Sequence, residues 1–212
     1  MHLTKKNVVL ASPFVIIAMN FIVAYIFGPI IGKWTFIPII LIEWCLFIFF
    51  ISRIAGKDSI LKWLKKPCGD FAWNMYAIFI SLIPLPLFVF NYETLAFWHV
   101  WVPYALIALV NPWVEEFYWR GLLLDYTKDW SKWISILFSS SLFALNQAVF
   151  GLSSDLNNGY AVVVSAFMMG VVWAIVYQRT NSLRWVIFAH FLVDVFNLSA
   201  ASFLDLYGRG GW

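Results

Sequence analysis

Charge is what this sequence has least of. Lys, Arg, Asp and Glu together make up 12% of its 212 residues, while 63% are hydrophobic. A soluble domain carries about twice that share of charge. A soluble fold of this size leaves about a third of its unfolded surface in water, and the polar side chains here are too few to cover it. There are two cysteines, Cys45 and Cys68. They form no C-x-x-C pair and no ligand spacing, so both read as free thiols and a disulfide framework is excluded. No alternating strand pattern, internal repeat or low-complexity tract is present. A cleavable signal is not expected either. Lys5 and Lys6 precede an apolar stretch over residues 8–31, longer than a signal core of about 7–15 residues and without a small-x-small cleavage site. It reads as a retained first span.

What is abundant is aromatic. Phe, Trp and Tyr supply 20% of the chain, with 13 Trp. Trp and Tyr settle at headgroup level, where an apolar ring keeps one polar atom wet. A transmembrane helix needs about 20 apolar residues. Candidate spans are 8–31, 34–54, 71–90, 95–124, 133–152, 160–177 and 185–206. The expected fold is therefore all-α: a polytopic transmembrane bundle of about seven spans, one domain over 1–212. The fourth candidate is long and carries charge late, as one tilted span or as a span followed by a broken half-helix. The second form gives eight helical segments.

With the amino terminus placed inside, all but two of the 14 Lys and Arg residues fall on the inner side: Lys5, Lys6, Arg53, Lys57, Lys62, Lys65, Lys66, Arg120, Lys128, Lys132, Arg179 and Arg184. Lys33 and Arg209 lie outside. Positive charge favours the cytoplasmic side, so the amino terminus is expected there. The stretch 56–70 puts Ile60, Leu61 and Leu64 opposite Lys62, Lys65 and Lys66. It reads equally as a helix lying on the anionic inner leaflet and as a plain basic loop.

Ionisable groups inside spans are costly and mark functional positions by default. Glu115 and Glu116 lie in an apolar helix. Glu116 and Arg120 are spaced to pair along one face, which leaves Glu115, about 100° round the helix, free for another partner such as a water or a substrate carbonyl. His190 and Asp194 lie one turn apart. Asp194 is expected to fix the imidazole tautomer, and Asn197 extends the same stripe. Asn146 and Gln147 read mainly as packing glue. Glu43, a lone acid in the second span, reads as structural, paired with a basic residue of another helix or held protonated. His99 reads as interfacial, and His2 carries no signal.

Taken in order, Glu115-Glu116 with Arg120 and Gly121, then Phe143, then His190 with Asp194, resemble the motifs of the CAAX-prenyl-protease and bacteriocin-processing superfamily of membrane proteases (CPBP, or ABI): E-E-x-x-x-R, F-x-x-x-H and H-x-x-x-N/D. The motif region is taken as 111–200, with generic spans over 1–110. Gln147 stands where the family has its second His. The resemblance implies hydrolysis of a peptide bond within the membrane, acting on a peptide or lipidated peptide. The site it implies is Glu115, Glu116, Gln147, His190 and Asp194, supported by Arg120, Asn146 and Asn197. Glu115 would be the general base, and His190 and Gln147 would hold the water or the oxyanion. A metal-free site is expected; a zinc variant would use Glu115, His190 and Asp194. Membrane lipid and a membrane-protein partner are expected contacts, and nucleic acid is not. The expected location is a bacterial inner or cytoplasmic membrane, in a multi-pass arrangement.

Two other readings compete. A non-catalytic immunity, scaffold or regulatory member would bind a peptide or enzyme in the same cavity, as Gln147 suggests. A proton-coupled carrier would use Glu43, Glu115, His190 and Asp194 as a relay, though no inverted repeat is evident. One geometric demand precedes all three. Simple alternation puts Glu115 and His190 toward the inner side and Gln147 late in an outward span. Bringing them together requires tilted helices or an irregular segment, and Asn111-Pro112 is the expected break.

Overall fold

Apolar runs this long have one way to satisfy their backbone in lipid, and the chain takes it. The computed structural model describes residues 4–207, which form helices with no strand among them. His2 and Arg209 lie outside the described residues. Helix α1 (Lys5–Ile31) begins on Thr4, whose hydroxyl accepts from the Asn7 amide. A 3-10 turn (Gly32–Thr35) follows, entered at Gly32 with φ 56°. Helix α2 (Phe36–Ile54) then folds back along α1. Next come α3 (Gly56–Trp63), α4 (Ala72–Ser81), α5 (Leu85–Asn91) and α6 (Trp98–Glu116). A π-helical turn (Phe117–Leu122) joins α6 to the short α7 (Leu123–Tyr126). Helices α8 (Lys132–Ala148), α9 (Tyr160–Thr180), α10 (Arg184–Phe196) and α11 (Ser199–Phe203) complete the bundle.

Four stretches are long and apolar enough to cross a membrane: Lys5–Ile54, which doubles back at the Gly32 turn, Ala72–Ala96, Lys132–Leu152 and Tyr160–Thr180. Phe14, Tyr25, Phe79, Phe90, Trp98 and other large apolar side chains stand on the outside, as a lipid-facing surface requires. Inside, a larger apolar cluster built on Ile16, Phe47, Trp119 and Leu183 fills the end carrying the basic loops. A smaller one built on Ile39, Val100, Phe150 and Leu204 fills the other. The buried polar groups lie between them.

The spans are less regular than their apolar runs imply. The third is interrupted at Leu82–Pro84, where α4 gives way to α5. The last ends at Asn197, and Leu198 takes a left-handed conformation (φ 44°) before α11. The expected break at Asn111-Pro112 is absent: Pro112 lies within α6, and the irregularity comes later, in the π turn. The wide turn frees the Trp119 carbonyl, which accepts from Ser139 Oγ at 2.7 Å. Arg120, grouped above with the inner loop charges, is instead fully buried.

In the basic stretch after α2, Gly56–Trp63 is helical and is tied to the bundle. Trp63 is buried and carries α3 inward, and its indole lies against Gly121 and Phe117. Leu183 N–H donates to the Trp63 carbonyl at 2.8 Å. Ile60 and Leu64 pack on the core, while Leu61, rotated by one position, faces out. The helix is therefore pinned to the bundle. A Cβ on Gly121 would sit 2.8 Å from two Trp63 ring carbons, so Gly121→Ala is expected to cost about 1–3 kcal/mol. A lowered melting temperature in detergent, restored in part by Trp63→Leu, is the expected result; an unchanged one would show that α3 is not pinned.

At the opposite end Lys33 meets Asp205 at 2.7 Å. Asp205 also accepts from Ser154 Oγ and from the Asp155 and Leu156 amides. Burial pushes the Asp205 carboxyl up, but Lys33 and these donors outweigh it and hold the pKa down to about 2. The folded value lies below the unfolded one, about 3.9. The clasp therefore adds stability above about pH 4 that is lost as pH falls toward 2. Hydrogen-exchange protection of the Asp155 and Leu156 amides is expected to persist down to pH 4 and to fall by pH 2. Protection that is flat across that window would remove Asp205 as its source.

Candidate functional site

Five helices place polar groups in the apolar interior at one depth. Glu115 and Glu116 come from the end of α6, Asn146 and Gln147 from the end of α8, and His190 and Asp194 from the second and third turns of α10. Asn20 on α1 and Glu43 on α2 complete the set. Gln147 and Glu115 do meet, at 3.1 Å. The π turn and the packing of α8 on α9 accomplish what straight alternating spans could not. That packing is close because Gly170 of α9 lies against Ser140, Phe143 and Arg120, leaving a Cβ at position 170 within 3.1–3.3 Å of them.

Glu116 is the hub. Its Oε1 accepts from Arg120 Nη1 at 2.8 Å and lies 2.8 Å from His190 Nδ1. Arg120 rests over the Phe143 ring at 4.2 Å and near Trp173 at 5.3 Å, so two aromatic faces share a buried cation with one carboxylate. Trp173 stacks on the His190 ring, with centroids 4.8 Å apart and planes 28° apart. The ring is thus fixed in plane by Trp173 and in rotation by Glu116. Here the structure corrects an expectation. Asp194 does not orient His190, because its Oδ1 is 3.9 Å from Nε2. The tautomer is set by Glu116 on the other nitrogen.

Glu115 is buried and turns the other way. It accepts from Gln147 Nε2, lies 3.7 Å from His190 Nε2 and is in hydrogen-bond contact with Glu43. Among the described residues Glu43 forms no ion pair with a basic side chain. Its Oε2 accepts from Asn20 Nδ2 at 2.6 Å and Asn146 Nδ2 at 2.9 Å, and Asn20 also donates to Asn146 Oδ1 at 3.0 Å. Asn146 thus joins α8 to α1 and α2, whereas Gln147 turns to Glu115. Asp194 is held by Ser199 at 3.3 Å and Asn111 Nδ2 at 3.4 Å, and Asn111 is in turn fixed by Trp44 Nε1 at 2.8 Å. Asn197 accepts from Tyr207 OH through its carbonyl.

Glu115, Gln147, His190, Asp194 and Asn197 all line one cavity of about 470 Å³ whose other walls are mostly apolar. Among the described residues no group of three or more His, Cys, Asp or Glu side chains is placed to hold a metal ion. His99 stacks among Trp34, Phe97 and Trp98, far from the cavity. The sequence did not single out Asn20 or Trp173, marked Asn111 only as part of the expected break, and left Glu43 as structural. An Asn among apolar residues was the only signal of Asn20. Nothing in the sequence marked Trp173 out from 12 other tryptophans.

Residues 96–196 match the family model described as type II CAAX prenyl endopeptidase, Rce1-like. No curated protein and no solved structure matches the chain.

Proposed function

We propose, from a chain whose residues 96–196 belong to the type II CAAX prenyl endopeptidase (Rce1-like) family, that this membrane protein hydrolyses a peptide bond inside the cavity with Glu115 as general base. The observation that carries the reading is the facing pair of Glu115 and His190 Nε2, 3.7 Å apart at the cavity wall. A water between them would donate one hydrogen to Glu115 Oε2 and the other to Nε2, whose lone pair is free when Nδ1–H is given to Glu116. Glu115 takes the proton as the water oxygen attacks the substrate carbonyl carbon. The oxyanion accepts from the second Nε2 hydrogen of Gln147, the first being used on Glu115. When the C–N bond breaks, Glu115 returns its proton to the leaving amine. Glu116, Arg120 and Trp173 position His190, while Glu43, Asn20 and Asn146 position Glu115.

Gln147 in place of a His is compatible with this scheme, because the scheme asks that position for a hydrogen bond and not for a proton. No metal is asked for, so cleavage is expected to survive dialysis against a strong chelator. Loss that zinc alone restores would require a metal-bound water instead. The direct test is a mixed library of plain and lipidated peptides, read by mass spectrometry. Products from the wild type are expected. If neither the wild type nor Gln147→His yields any, the fold serves a non-catalytic role.

A further inference from the structure

The cavity runs to one side only. Toward the basic end the floor beneath Glu115 and His190 is closed by Trp63, Trp119, Leu122, Leu123 and Leu183, each no more than 1% exposed. In the other direction the cavity continues past Asp194 and Asn197 to Phe150, Leu156, Asn157, Ser202 and Tyr207. These residues belong to the end that holds Lys33 and Asp205. By rise per residue, Glu115 lies about 25 Å along α6 from its Trp98 start. The approach to the site is therefore long, and it comes from the end poor in positive charge.

The cavity also has a side. Helix α4 packs on both α9 and α10, but beyond the Leu82–Pro84 interruption α5 packs on α10. The lining residues that remain exposed lie on the two sides of this divergence: Ile83 and Leu87 on the α5 side, Leu156, Ala161 and Ser165 at the start of α9. The Lys33–Asp205–Ser154 clasp and the bonds from Asn157 Nδ2 to Ser154 and Ser202 at 2.8 and 3.1 Å hold the rim in place. An extended peptide in lipid needs partners for its backbone N–H and C=O groups. The side-chain oxygens of Asn157, Asn197, Ser199 and Ser202 line the path as acceptors for peptide N–H groups, their hydroxyl and Asn157 amide hydrogens being used within the protein, against apolar walls for the side chains.

Building on the protease reading, we infer that the substrate is an apolar, extended peptide segment that enters from the extracytoplasmic half of the membrane through the slot between α5 and the start of α9. The positive-inside preference makes the basic end, with Lys62 and Cys68, the cytoplasmic one and places the slot opposite it. A chain tail offered from the cytosol would meet the closed aromatic floor.

Thiol labelling tests this without turnover, so it decides the inference even if the protein cleaves nothing. In a Cys45→Ala background the native Cys68, which is exposed in the basic loop, reports the cytoplasmic side. Ser165→Cys reports the slot; its hydroxyl bonds only its own helix, at Val162. A membrane-impermeant maleimide added to intact cells is expected to modify Ser165→Cys and to leave Cys68 unmodified until the cells are opened. Leu156→Cys gives the same readout on the rim should Ser165→Cys fold poorly. Modification of the slot thiol only after the cells are opened, modification of Cys68 in intact cells, or no reaction at the slot in either state would each overturn the inference.

Discussion

Glu115→Gln is expected to lower peptide cleavage by about 10²–10⁴-fold, the usual contribution of a general base, while leaving the fold intact. The substitution keeps the shape and an acceptor for Gln147, so the hydrogen bond at 3.1 Å survives. It removes the carboxylate oxygen nearest His190 Nε2, at 3.7 Å against 3.9 Å for Asp194 Oδ1, and with it the group placed to take a proton from a water shared with that nitrogen. Glu116 cannot substitute, since it does not line the cavity and meets His190 on Nδ1, the other side of the ring from Nε2. Glu43→Gln should lower cleavage less: it removes the carboxylate beside Glu115 but keeps an acceptor for Asn20 and Asn146. The readout is kcat/KM on whichever library peptide the wild type cleaves, with melting temperature as the control. Full activity in Glu115→Gln would remove Glu115 as the base.

Arg120→Ala should cost about 3–5 kcal/mol, the loss that follows when one member of a buried ion pair is deleted. Both side chains of the pair are fully buried and 2.8 Å apart, so nothing but protein replaces the lost charge. The deletion also empties the space over the Phe143 ring. Arg120→Lys should recover only part, because an ammonium lacks the planar face that lies between Phe143 and Trp173. The measurement is thermal unfolding in detergent. Stability equal to wild type in Arg120→Ala would show the pair to be solvated. A fall in cleavage beyond that explained by unfolding is expected too, since the same Glu116 oxygen that holds Arg120 holds His190.

Much of this was legible in one dimension, and some was not, for identifiable reasons. The Glu116–Arg120 pair could be read because helical periodicity alone brings i and i+4 together. The role of Asp194 was misread by the same rule: i+4 spacing put it near His190, but Glu116 from another helix came closer to the ring, at 2.8 Å against 3.9 Å. Glu43 looked structural because its nearest relations, Asn20, Asn146 and Glu115, lie 23, 103 and 72 positions away. The proline at position 112 promised a break that never came, while the π turn that does bend the path carries no comparable mark. Its one requirement, a residue without a Cβ beneath Trp63, shows only as Gly121.

The sequence by itself determined the class of solvent, the helical backbone, the sorting of basic loops to one end and which ionisable residues fall inside the spans. Each of these follows from composition or local spacing, and the energies that enforce them act on single residues or single turns. Tertiary packing alone decided which carboxylate holds the imidazole, that Glu43 joins Glu115, that Trp173 seats the ring, and which end of the bundle the cavity opens toward. Those outcomes depend on how helices cross and where they diverge. Crossing is set by Gly170 against Ser140 and Gly121 against Trp63, and divergence by the Leu82–Pro84 interruption. Contacts so distant along the chain have no period for a sequence to display.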